Sequence, residues 1–177
     1  MIRARNGPIG ARSMSDAAAS ITNSAVQAET PADASAVEAL VLAAFGPGRF
    51  AKTAERLREQ AGIEAGFVVR ENGRIVGSVR LWRIAVGETP ALFLGPIAVD
   101  VASRRAGLGA DLVGACVDHA KGAGTAGVLL VGDPPYFSRF GFQAATDVRL
   151  PGPVDPRRVL WLPVTAPAPT GMTRPTL

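Results

Sequence analysis

The residues best placed to do chemistry are Arg104-Arg105-Ala106-Gly107-Leu108-Gly109-Ala110, which follow an apolar run and open directly into an amphipathic segment. The first amides of a helix have no intrahelical acceptor and lie at the positive end of its macrodipole, so they favour an anion. Glycines there let the backbone approach phosphate oxygens with no Cβ in the way. Two arginines add full charge and forked donors, although a pair of arginines can also be a solvated loop edge. The chemistry predicted is the holding of a phosphate group.

Other candidates are weaker. Gly122-Ala-Gly124-Thr-Ala-Gly127 fits G-x-G-x-x-G by letter. It ends a helical segment and precedes a strand, the reverse of the dinucleotide-binding order, so a C-terminal cap is the better reading. No G-K-[ST] is present, which excludes a Walker loop. Cys116, the only cysteine, falls on an apolar helix face and reads as core. The sole histidine, His119, lies on the same helix, roughly 17 Å from the glycine loop, and reads as structural.

The elements that must position the loop follow from periodicity. Ile21–Glu29 reads as a first strand, ending at a helix start with Thr30 as cap and Pro31 in the first turn. The helix after it places Ala36, Val37, Leu40, Val41, Ala44 and Phe45 on one face, and Gly46-Pro47-Gly48 stops it. Ala51–Gln60 reads as a second helix with Glu55, Arg58 and Glu59 toward solvent. Residues 66–70 and 75–82 form a hairpin about Asn72-Gly73, and a loop with Gly87 and Pro90 leads to an apolar run over 91–99. Gly95-Pro96 inside that run implies a bulge or a strand that parts from its neighbour there. The helix after the glycine loop turns Leu108, Leu112, Val113, Cys116, Val117 and Ala120 inward. Val128–Val131 is expected as a strand parallel to Ile97–Val99, joined by a right-handed crossover. Pro134-Pro135 starts a short helix or turn, and 148–150 and 159–162 close the sheet.

The chain has 177 residues, 47% apolar and 19% charged, with a net charge of +4, which is a globular composition for one domain. No basic stripe interleaved with aromatics points to nucleic acid, and no apolar run approaches a membrane span. With no signal-like apolar segment near the start, the reading is a cytoplasmic protein. Residues 1–19 read as a disordered lead, with Met14 as an alternative start, 20–164 as the working domain, and 165–177 as a loose proline- and threonine-rich tail.

Arg104-x-x-Gly107-x-Gly109 resembles the pyrophosphate loop of the GNAT superfamily of N-acetyltransferases, Q/R-x-x-G-x-G/A. A second feature stands at the right distance: the strand at 128–131, then Tyr136-Phe137-Ser138-Arg139-Phe140-Gly141-Phe142, similar to the aromatic-x-x-x-Gly-Phe turn that ends the acetyl-CoA site. Residues 94–99, 132–136 and 150–155 look like a bacterial subgroup of predicted acetyltransferases, so the resemblance runs from about Val26 to Leu162. It implies an α/β fold, a mixed, twisted sheet flanked by helices, with two central parallel strands splayed to hold acetyl-CoA. Backbone groups of Ile97, Ala98 and Val99 would then orient the thioester, and Arg104, Arg105, Ala106, Gly107, Leu108, Gly109 and Ala110 would hold the pyrophosphate.

The resemblance also implies transfer of an acetyl group by direct attack of a small-molecule, peptide or protein amine, in a monomer or homodimer. The sequence departs from the family at the proton donor. The usual tyrosine position, four residues before Gly141, is Phe137, a cofactor-site residue without a hydroxyl; Tyr136 is the substitute candidate. No general base stands out among Glu88, Asp100 and Asp133, which read as turn and loop residues. A non-catalytic acyl-CoA-binding or sensing module is therefore the alternative. The acceptor side is expected between the first helices, from Phe45 to Arg58, and the loop after Leu81.

Overall fold

A computed structural model describes residues 26–103 and 106–177. The lead at 1–19 and most of the expected first strand lie outside the described residues; β1 is Gln27–Ala28. α1 (Ala34–Phe45) follows a turn in which the Asp33 carboxylate accepts from Thr30 N and Oγ1. α2 is Thr53–Glu59, and β2 (Ile63–Glu71) and β3 (Arg74–Val86) form the expected hairpin. Asn72 and Gly73 both have positive φ, as a two-residue hairpin turn requires. The strands are longer than the sequence suggested: β3 runs through Trp82 to Val86 and turns at Gly87-Glu88 into β4 (Thr89–Leu94). The loop expected after Leu81 is thus strand, because Pro90 opposes Ala85 near the start of β4, where a missing N–H costs little.

β5 (Ala98–Val99), α3 (Leu108–Ala123), β6 (Gly127–Val131), α4 (Pro134–Phe137), β7 (Gln143–Ala144), β8 (Val148–Arg149), β9 (Val159–Pro163) and β10 (Gly171–Pro175) complete the chain. Among the described residues, ten strands form one mixed sheet whose main path is β1-β2-β3-β4-β6-β9-β7. All contacts along that path are antiparallel except β4–β6, which is parallel, as a helical crossover through α3 demands.

Residues 91–94 of β4 and 127–131 of β6 are apolar throughout because both faces are covered. Leu92, Leu94, Val128 and Leu130 pack with the inward residues of α3, the six that periodicity selected. Alternate residues Ala91, Phe93 and Leu129 turn to the opposite face and pack with Leu57 of α2 and with Trp161. α1 covers Val68, Ile75 and Ala98 on its own patch using Val37, Val41 and the half-buried Leu40, a narrower stripe than the six residues expected.

Residues 165–177 are not loose as a whole. β10 pairs antiparallel with β3 through Thr173↔Val86 and parallel with β8 through Gly171↔Val148. β2 leaves that edge of β3 at Ile63↔Trp82, and the unpaired backbone beyond it is what β10 satisfies.

Candidate active site

The site begins where the sheet opens. β4 and β6 pair at Leu92↔Val128 and Phe93↔Leu129 and no further. After Leu94 the chain turns away at Gly95-Pro96, and β5 instead pairs with Gly77 and Ser78 of β3. The parallel contact thus lies at 92–93 and not at 97–99, because beyond Gly95-Pro96 the chain keeps its pairing with β3 while β6 parts from it. β6 continues to Val131 against β9 alone. Gly95 has φ +127°, a conformation glycine tolerates, and its carbonyl accepts from Trp82 Nε1 at 2.5 Å.

The gap is a cleft of about 360 Å³. One wall is Leu94, Gly95, Pro96 and Ile97; the facing wall is Leu130, Val131, Gly132 and Asp133. Phe137 closes the side, its ring set on Gly132 so closely that a Cβ there would lie 2.3 Å from it. Phe45, Arg49, Lys52, Ala54, Glu55 and Arg58 make the remaining border. The segment from Phe45 to Arg58 thus reaches the cleft as expected.

At the start of α3, Gly107 is the N-cap with φ +98°, and the first intrahelical bond is Asp111 N to Gly107 O at 2.9 Å. The amides of Leu108, Gly109 and Ala110 precede that bond and are the free donors of the helix start. Ala106 is exposed at its mouth, while Arg104 and Arg105 lie outside the described residues. Asp100 shapes the approach: its Oδ1 accepts from Ala102 N at 2.8 Å and its Oδ2 pairs with Arg74 at 2.9 Å. Ala98 and Val99 follow Ile97 along β5.

Tyr136 and Phe137 point to different places. Phe137 lines the cleft. The Tyr136 hydroxyl instead lies beside α3, 3.1 Å from where a Cβ on Gly109 would be, and Tyr136 is absent from the cleft lining. Arg139 stacks over the Tyr136 ring at 4.7 Å. The Asp133 carbonyl accepts from the amides of Tyr136 and Phe137, the turn role its position suggested, while its residue also borders the cleft.

Charge at the α2 end differs most from expectation. Glu55 and Arg58 face inward, each side chain 12% exposed. Leu57 must be buried, and in a helix this short the neighbours that flank it reach the cleft. Burial lowers the Arg58 pKa to about 10, so the group stays protonated at neutral pH. The residues set aside are inert here. Burial pushes the Cys116 thiol up, away from the thiolate range. His119 Nε2 lies 3.3 Å from Glu64, with its ring edge to Phe67. Gly124 is the left-handed cap of α3.

The model of the Acetyltransferase (GNAT) family matches residues 35–142. The chain belongs to the GNAT acetyltransferase family. An Escherichia coli K12 relative, the uncharacterized N-acetyltransferase YhbS, is 33% identical over 123 residues, 68% of this chain and 74% of the relative. The crystal structure of E. coli YhbS in complex with CoA is similar with a TM-score of 0.73 at 30% identity, covering 85% of this chain and 88% of that one. A GNAT acetyltransferase from Brucella melitensis, solved with acetyl-CoA, shares the fold with a TM-score of 0.67 at 24% identity, covering 84% and 93%. In this GNAT chain the fold is the family's mixed sheet flanked by helices, opened between its parallel strands.

Proposed function

We propose that this GNAT protein binds acetyl-CoA and transfers its acetyl group to an amine. The carrying observation is the coincidence of two features: free amides at the start of α3, and the split between β4–β5 and β6. Gly109 fits a phosphate-bearing ligand, since nothing but a hydroxyl stands near the space its missing Cβ leaves. Residues 104–110 hold the pyrophosphate, the backbone of Ile97, Ala98 and Val99 orients the arm, and Phe137 packs against its end. The bound thioester supplies an activated acyl carbon. The amine attacks that carbon, a C–N bond forms and the C–S bond breaks. A proton leaves the amine and another is taken up by the departing thiolate. Holding both reactants in one cleft provides much of the acceleration.

The proton taken up by sulfur comes from water, because Phe137 carries no hydroxyl and Tyr136 faces α3. This supports a second reading, an acyl-CoA-binding module that does not turn over. Titration calorimetry with coenzyme A and a thiol-release assay with acetyl-CoA over an amine panel separate the two. The enzyme reading expects binding and amine-dependent release, with Gly109→Trp weakening binding at least about a hundredfold in a folded protein. Binding without release from any amine supports the module. No binding by the folded wild type overturns both.

A further inference from the structure

The cleft carries more positive charge than its apolar walls explain. Arg49, Lys52, Arg58 and Arg158 line it against only Glu55 and Asp133. The amides at the start of α3 are not part of this lining, so a phosphate held there does not meet these cations. Arg49 and Arg58 are inside the protein, with side chains 9% and 12% exposed. They share one carboxylate: Glu55 lies 3.4 Å from Arg49 and 3.3 Å from Arg58.

These contacts end a chain of alternating charges. Glu29 pairs with Arg80 at 2.6 Å, Arg80 with Glu38 at 3.1 Å, and Glu38 with Arg49 at 2.9 Å. Arg58 is the last link, with Glu55 as its one carboxylate and its Nε unpartnered; Arg49 Nε is unpartnered too. Burying a guanidinium on one long ion pair is costly, and a fold seldom retains it without a further partner. The fold nevertheless makes room for it. The Arg58 guanidinium lies 5.0 Å from the centre of the Phe93 ring, and a Cβ on Gly95 would come within 2.5 Å of its Nη2. An anionic oxygen group entering the cleft would complete this set, since the planar fork matches a carboxylate or phosphate.

We propose that the acetyl acceptor is a small primary amine bearing an anionic oxygen group, carboxylate or phosphate, docked on Arg49 and Arg58 with Lys52 at the mouth. This rests on the acetyltransferase reading above. The size follows from a cleft of about 360 Å³ that must also admit the cofactor arm. The same excess of positive charge disfavours polyamines and lysine-rich peptides.

The test uses matched pairs with acetyl-CoA as donor: glycine, alanine and phenylalanine against their amides, and aminoethyl phosphate against ethanolamine. Coenzyme A titration runs in parallel. At least one anionic member should exceed its neutral counterpart tenfold in kcat/KM, and which pair does so distinguishes carboxylate from phosphate. Arg58→Gln should erase that preference. Should Arg58→Gln not fold, Lys52→Glu keeps the test, because Lys52 is exposed. It should raise KM about tenfold for the anionic member alone. If no anionic member leads its counterpart tenfold, complete silence of the panel included, the proposal is overturned while bound coenzyme A leaves the cofactor reading standing. Loss of coenzyme A binding in the folded wild type overturns the reading beneath it as well.

Discussion

The α2 border of the cleft and the start of α3 beyond it are built from different materials. At the α3 end the groups we propose to hold the cofactor are backbone amides, those that follow the Gly107 N-cap at the start of a long helix. At the α2 end they are side chains, an arginine–glutamate chain gathered from the segment after β1, from α1, from the turn between α1 and α2, from β3 and from α2. A backbone site tolerates almost any side chain that does not fill it, and fails when a Cβ or ring intrudes. A side-chain site fails by subtraction, because each member leaves its partners buried and uncompensated. The α3 end is therefore the one robust to deletion.

That contrast can be broken by Glu55→Gln. Arg58 loses its carboxylate and Arg49 keeps only Glu38. We expect a stability loss of about 2–4 kcal/mol in urea unfolding, with coenzyme A affinity in the folded protein within about twofold of wild type. A matching fall in affinity would show that the ends are one unit. Phe137→Tyr sharpens the contrast by adding a proton donor between them. Its expected result is a rise in kcat of about tenfold with KM for acetyl-CoA unchanged, read by thiol release. An unchanged kcat would mean that water already suffices.

The smallest effect belongs to a control away from both ends. The Arg83 guanidinium, 2.8 Å from Glu64, holds that carboxyl below its ordinary value of 4.5. Its contribution is present above about pH 4.5 and is lost as pH falls through the lowered folded value. Glu64→Gln should cost less than about 1 kcal/mol at neutral pH and flatten the acid side of a Tm-against-pH curve.

The same contrast explains what could be read from the chain in advance. α3 was legible to the residue, since its six inward positions follow from a single period, and the departure at Gly95-Pro96 follows from what proline and glycine permit. The α2 end was not. Glu55 and Arg58 look like solvated residues on a charged helix, and only their convergence with Glu38, Arg49 and Arg80 reverses that. Such convergence depends on sheet register, and no local spacing encodes it. β10 escaped for a related reason: a proline- and threonine-rich segment has no alternation of its own, and its pairing is dictated by the edge of β3 it finds vacant.

That late strand has a kinetic meaning. β3 lies at the heart of the sheet, yet the partner of its Val86 is Thr173, synthesised only after the whole cofactor half of the chain has emerged. Until then, a nascent chain presents the end of β3 as open edge, the kind of backbone that recruits strands from other molecules. Closing so distant a pair is a slow, entropically opposed event. Sealing the sheet is therefore expected to come late in folding, after an interval in which that edge is open.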